Sequence, residues 1–397
     1  MSLDRPRGRS VLAHLGVAHF SHHVGNSLLV PLLPLMRESF ALSYAQVGLL
    51  ATGFHVGNGL ANTPWGLIAD RLGPRPVVIC GLLFTGLAIA AVGAAPSYVV
   101  LLLLLAVLGI ASGAYHPGAT AILAGSFAPR ARATAIGLHI TVGHTAFVLV
   151  PLVAVLLVDV GGSWRTPYQW LSVAPLLAGA LLWRRLPSGI AREVQFATGR
   201  SVVESLRGAV RSLGPIIVLS LLFQVVVSAL FSFLSLYLVD ARGFSPAAAA
   251  GSISILLLFA VASPVLGGWL ADRLGRISVI VVGLIGVGPS VLALSLAPVE
   301  AIVVPLGLLG LTLAMRQSAT EVLVAELAPA HGRALVLGVY YTLGQEFGGL
   351  AAPLLGALAG LVGIESAFNA VGAVLCAFST GLLILLVWRR TRSRGGL

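Results

Sequence analysis

Apolar residues in this chain come in long blocks rather than in short alternations. Twelve blocks stand out, at roughly 11–35, 45–68, 76–95, 98–126, 133–158, 168–186, 214–239, 246–270, 277–297, 301–327, 333–361 and 366–388. Each is close to the ~20 residues a helix needs to cross a hydrocarbon core of about 30 Å. The links between them are short, so nearly the whole chain is expected to lie in or beside a bilayer. Backbone polar groups in lipid must be satisfied within each segment, which makes helices the only economical structure. The expected fold class is an all-α membrane protein of twelve transmembrane helices.

The polar residues inside these blocks follow the helical period. His19, His22, His23 and Asn26 are spaced i, i+3, i+4 and i+7 and share one face of the first block. His55, Asn58 and Asn62 make a similar face in the second block; His116 with Thr120, and Thr141 with His144 and Thr145, do so in the fourth and fifth. His22, His55, His116 and His144 each lie about 10–15 residues from the same end of their blocks, a matched depth at about 1.5 Å per residue. A shared polar cavity accounts for so many histidines at one depth better than interhelical glue does, although such residues also serve as glue. His14 and His331 fall near block ends and are read as bystanders. In the second half of the chain Arg316 lies deep in the tenth block and Glu346 in the eleventh, with Gln224, Ser228 and Ser232 forming a polar stripe in the seventh. An ionisable group at that depth marks a functional site by default. The simplest arrangement is an Arg316–Glu346 pair facing the cavity, with Glu321 as a competing partner.

Composition sharpens the membrane reading. The chain is 58% hydrophobic and 9% charged, against about 25% charged in soluble domains. A net charge of +11 invites a nucleic-acid reading, but the distribution argues against it. Every basic residue is Arg, and twenty of the 24 fall before the first block, in alternate links, in the segment near 187–212 or after the last block. Arg37, Arg165 and Arg242 are the exceptions in the remaining links. This asymmetry follows the positive-inside rule and puts both termini in the cytoplasm. The basic start runs into a block too long for a leader's apolar core, so no cleavable signal peptide is expected. Cys80 and Cys376 lie within apolar blocks and read as small core residues.

The chain also repeats. "GLIADRLG" at 66–73 returns as "GWLADRLG" at 268–275, and "AYHPGATAILAGSFAP" at 114–129 aligns with "AMRQSATEVLVAELAP" at 314–329. Arg132 with Arg333, Gly137 with Gly338, Gly143 with Gly344 and Pro151 with Pro353 extend the match. By this alignment Arg316 occupies the place of His116, and Gln345 that of His144. The expected organisation is a six-helix bundle over 1–186, a cytoplasmic linker over 187–212 and a second bundle over 213–397, with a solute site between the bundles near the midplane.

The duplicated G-x-x-A-D-R-x-G loop and the 6+6 arrangement resemble the major facilitator superfamily, over essentially the whole chain. Within it, "HFSHH" and "YHPGA" are most similar to the fosmidomycin-resistance type of bacterial transporter. The resemblance implies that Asp70 with Arg71, and Asp272 with Arg273, latch one conformation through neighbours such as Arg132 and Arg333. Gly66, Gly73, Gly268 and Gly275 would allow tight turns and close helix approach there. It also implies efflux of small toxic compounds, including anions that Arg316 would hold. The Gly-Pro pair that marks many antiporters in the fifth span is absent: Pro151 follows Val150, and Pro353 follows Ala352.

The function expected is a proton-coupled secondary transporter of a small solute in the bacterial cytoplasmic membrane, monomeric, with no nucleic-acid partner, no cofactor and no enzymatic activity. No G-x-x-x-x-G-K-[ST] loop supports ATP hydrolysis. The candidate substrate contacts are His19, His22, His23, Asn26, His55, Asn58, His116 and His144 of the first half together with Gln224, Arg316 and Glu346. Glu346, His22 and His116 are the candidate proton carriers. Import of an organic anion and transport of a transition metal are the alternatives; imidazoles suit zinc, copper or nickel, while three Met and two Cys make a soft Cu(I) path poor. No metal site is assigned.

Overall fold

The computed structural model describes residues 6–186, 215–327 and 347–394. These form helices and connecting turns, with no strand among the described residues. The first part holds α1 (Pro6–Phe40), α2 (Tyr44–Leu72), α3 (Pro74–Gly93), α4 (Tyr98–Ser112), α5 (Tyr115–Ser126), α6 (Pro129–Gly161), α7 (Arg165–Leu171) and α8 (Val173–Arg185). The second holds α9 (Pro215–Asp240), α10 (Pro246–Leu274), α11 (Arg276–Leu296), α12 (Val303–Leu327), α13 (Ala352–Val362) and α14 (Ile364–Arg394). Seven described segments are long and apolar enough to cross a membrane, or eight if the bent α10 is taken as one span. Neither α1 nor α2 is among them, and these are the helices that carry the His/Asn faces. The segment near 187–212, Arg333 and most of the eleventh block lie outside the described residues.

The repeat is visible in local chemistry. Ser43 caps α2 and accepts from the Gln46 N–H, and Ser245, 202 residues on, caps α10 and accepts from the Ala248 N–H. Gly73 and Gly275 end the same two helices at φ 88°, ψ 154° and φ 83°, ψ 145°. That corner of backbone space is essentially open only to glycine. Helix packing repeats as well. A Cβ on Gly109 of α4 would collide with the Phe54 carbonyl of α2, and one on Gly310 of α12 with the Leu256 carbonyl of α10. Among the described residues the expectation of close approach is not met at Gly66 and Gly268: the nearest described neighbours lie at 4.0 Å and beyond 4 Å.

One difference breaks the symmetry. Pro117 has no N–H for the Gly113 carbonyl, and the fourth block divides there into α4 and α5. Gln317 stands at the aligned position, and α12 runs unbroken.

The two parts meet along a seam at the end of the molecule away from the termini. Arg37 Nη1 donates to Asp240 Oδ2 at 2.7 Å, and the Tyr44 hydroxyl donates to the same oxygen at 2.8 Å. Arg37 also stacks on the Tyr44 ring at 4.1 Å. Deeper in, Gly48 lies against the backbone of Ala352 and Pro353, Gly356 against the Tyr44 carbonyl, and Thr52 Oγ1 donates to the Gly349 carbonyl at 2.6 Å. Ser235 of α9 donates to the Val30 carbonyl of α1. The other two arginines on this face cap helix ends: Arg165 donates to the Ala95 carbonyl at 3.0 Å, and Arg242 to the carbonyls of Ser295 and Ala297. All three exceptions to the arginine asymmetry therefore have local acceptors.

The Arg37–Asp240 side chains are about a quarter to a third exposed, so the pair contributes less than about 1 kcal/mol. Asp240→Asn is expected to open this seam about threefold more often. The measurement is the rate at which a membrane-impermeant maleimide labels Thr52→Cys from that face, in a chain with Cys80 and Cys376 replaced by Ala. An unchanged rate would show that the pair does not hold the seam.

Candidate functional site

Among the described residues, buried polar side chains gather in two places. The first lies among α1, α5 and α6. Successive turns of α1 present His19, His22 and His23, which are 1%, 0% and 5% exposed. His19 stacks on His139 of α6 at 4.1 Å between ring centroids and lies 4.6 Å from His23. His22 is 4.8 Å from His23, 4.7 Å from Tyr115 and 4.9 Å from His116. His144 is 5.7 Å from His23 and, like His23, packs on Phe147. His116 is the exposed member of the group.

Local sequence explains this assembly. Gly143 lets α6 close on α1, because a Cβ there would strike the His19 imidazole. The Tyr115 hydroxyl donates to the Leu15 carbonyl at 2.8 Å and pins the start of α5 to α1. The His19 Nδ1 donates to the His139 carbonyl at 2.9 Å.

Not every residue of the predicted cavity joins. His55 is separate: its Cβ lies against Gly349, and its ring contacts Phe54. The reason is that α2 packs across α4 and α13 and hardly touches α1. Asn26 accepts from the Ser112 hydroxyl at 3.0 Å, and Asn58 Oδ1 accepts from Asn62 Nδ2 at 3.1 Å, so both act as local ties. His139 is 5% exposed at the centre of the stack and lies outside the sequence-derived face. Its sequence signal is a second histidine in the block that carries His144.

The second place is around Arg316 of α12, whose side chain is 1% exposed. It donates to Gln224 Oε1 of α9, and its guanidinium lies 5.5 Å from the centre of the Phe223 ring. Its Cβ packs where Gly283 of α11 leaves room, just as Ala114 packs against Gly81. By packing, then, Arg316 corresponds to Ala114 and not to His116; the break at Pro117 accounts for the slip. Ser232 is buried and turned back onto the Ser228 carbonyl of its own helix. Glu346 lies outside the described residues, as does the Glu321 side chain.

The expected latch is described only in part. The Asp70 and Arg132 side chains and Arg333 lie outside the described set. Arg71 and Asp272 are exposed, and Arg273 stacks on Trp269 at 4.0 Å.

A family model for the Major Facilitator Superfamily matches residues 15–267 and again 251–397. The chain belongs to the major facilitator superfamily. It is 26% identical over 384 residues to the fosmidomycin resistance protein of Escherichia coli (strain K12), a match covering 95% of this chain and 92% of that one. It is 27% identical over 347 residues to the multidrug resistance protein MdtG of Enterobacter lignolyticus (strain SCF1), covering 83% and 81%. Among solved structures it resembles a bacterial homologue of the human lysosomal transporter Spinster, in an inward-facing and unoccupied conformation, with TM-score 0.81 and 18% identity over 96% of this chain and 97% of that one. This major facilitator chain is therefore a multi-pass inner-membrane protein of the secondary-transport class, and not an enzyme.

Proposed function

We propose that the chain exports a small anionic or toxic solute across the cytoplasmic membrane in exchange for protons, as a monomer with both termini in the cytoplasm. Residues 1–186 and 213–397 move as two bundles joined by 187–212. The observation that carries the solute class is Arg316: a guanidinium buried in α12 beside Gln224. An ionisable group placed at that depth marks a solute pathway, and a cation lining one suits a negative or strongly polar solute. Two relatives named for resistance support the outward direction. The closed seam at Arg37, Tyr44 and Asp240 is what one of two alternating states requires. Everted membrane vesicles containing the chain should accumulate fosmidomycin when a pH gradient is imposed, and no accumulation above empty vesicles would overturn the substrate reading.

Glu346 is the proposed proton carrier, with His22 and His116 as the rival carriers. It is one of very few carboxylates deep in an apolar block, and none lies deep in the first six. Glu346→Gln is expected to abolish proton flux with solute while leaving solute exchange intact, since exchange moves no net proton. Proteoliposomes with both fluxes recorded provide the check. Proton movement at the wild-type ratio would transfer the role to the histidines, each then tested as Gln.

A further inference from the structure

Six imidazoles packed together inside a membrane protein need a reason. Buried polar atoms normally find partners, yet His19 Nε2, both ring nitrogens of His22 and His23, and His139 Nδ1 make no hydrogen bond to protein. Leucine or phenylalanine would fill the same space without that loss.

The tautomer of His19 follows from its partner. A carbonyl only accepts, so the Nδ1 bonded to the His139 carbonyl carries the proton. The lone pair is then on Nε2, which is buried and turned away from that bond. A ring nitrogen held by a backbone carbonyl while the other presents its lone pair is the arrangement that orients metal-binding histidines. One ring nitrogen each from His19, His23 and His116 lie within 4.8 Å of one another. Three ligands around one tetrahedral ion sit about 3.4 Å apart, for a metal–nitrogen bond of about 2.1 Å. His116 is the exposed member, while His19 and His23 are buried, so closing the three nitrogens onto one ion calls for a small turn of the His116 ring.

We propose that His19, His23 and His116 form a binding site for one divalent transition-metal ion. The donors are three neutral nitrogens with no carboxylate, a set that suits zinc, nickel or copper(II) and not the oxygen-seeking magnesium or calcium. Three protein ligands leave a fourth position for water or for a donor atom of the solute. The ion binds whether or not it is itself moved across the membrane.

The test uses the purified full chain without a polyhistidine tag, with Zn2+ as the probe in calorimetry and Co2+ as a spectroscopic one. Expected are one saturable Zn2+ site per chain, a visible Co2+ absorption displaced by Zn2+ and not by Mg2+, and at least tenfold weaker binding in His23→Gln and in His116→Gln. His14→Gln, near the chain start and bonded to Ser10, should bind as wild type does. Should the histidine variants lose their fold, the Co2+ spectrum of the wild-type chain still decides. Absence of that absorption, or undiminished Zn2+ binding by a folded His19/His23/His116 triple Gln variant, would overturn the site. Neither readout involves fosmidomycin, so a failed solute assay leaves this result standing.

Discussion

Arg316→Ala should leave the protein folded in the membrane and cost it about a hundredfold or more in solute affinity. The fold survives because alanine keeps the Cβ that packs against Gly283 of α11, one of the close contacts between α11 and α12. Binding does not survive, because the guanidinium is the cation buried beside Gln224 and Phe223. Removing one member of a buried, charge-assisted interaction costs about 2–5 kcal/mol, and each 1.4 kcal/mol is tenfold in affinity. Arg316→Lys should recover only part of the loss, since an ammonium lacks the planar fork. The measurement is solute-induced thermal stabilisation of purified protein alongside membrane expression. Wild-type stabilisation in the alanine variant would remove Arg316 from the site.

Gly109→Val and Gly310→Val should each destabilise the protein severely, and by similar amounts. At both positions the missing Cβ is what lets one helix backbone lie on the carbonyl of another, Phe54 in one part and Leu256 in the other. A valine forces the pair apart along its length, and overpacking of this kind costs about 1–3 kcal/mol or more. Loss of close approach also removes the van der Waals packing that holds membrane helices together. The melting temperature in detergent is the measure, with Gly251→Ala as control, since a Cβ there meets nothing within 4 Å among the described residues. A large drop in one variant and none in the other would mean that the repeat in sequence is not a repeat in packing.

Most of the helices were legible because length and apolarity mark them; α1 and α2, which carry the polar faces, are helical without meeting that measure, so seven or eight described segments and not twelve show it. The repeat was legible because identical turns need identical residues, as at Gly73 and Gly275. The neighbourhoods were less so. A residue count gives depth along the membrane normal and says nothing about which helix stands beside which. That is why His55 shares a depth with His22 but not its company. His139 was hidden for a related reason: five residues before His144, it points about 140° away from it on the helix, and the crossing of α1 over α6 brings it to His19. The match of Arg316 with His116 failed at Pro117, where a helix break shifts the packing without shifting the alignment.

The pair between Arg37 and Asp240 spans 203 residues of chain. During synthesis at about 5–20 residues per second, the arginine waits roughly 10–40 s for its carboxylate. In that interval the first part must insert and settle by its own contacts, with the face around Arg37 and Tyr44 open. A nascent chain stalled before residue 240 would carry this face unclosed, and any insertion factor that shields it has only that interval in which to act.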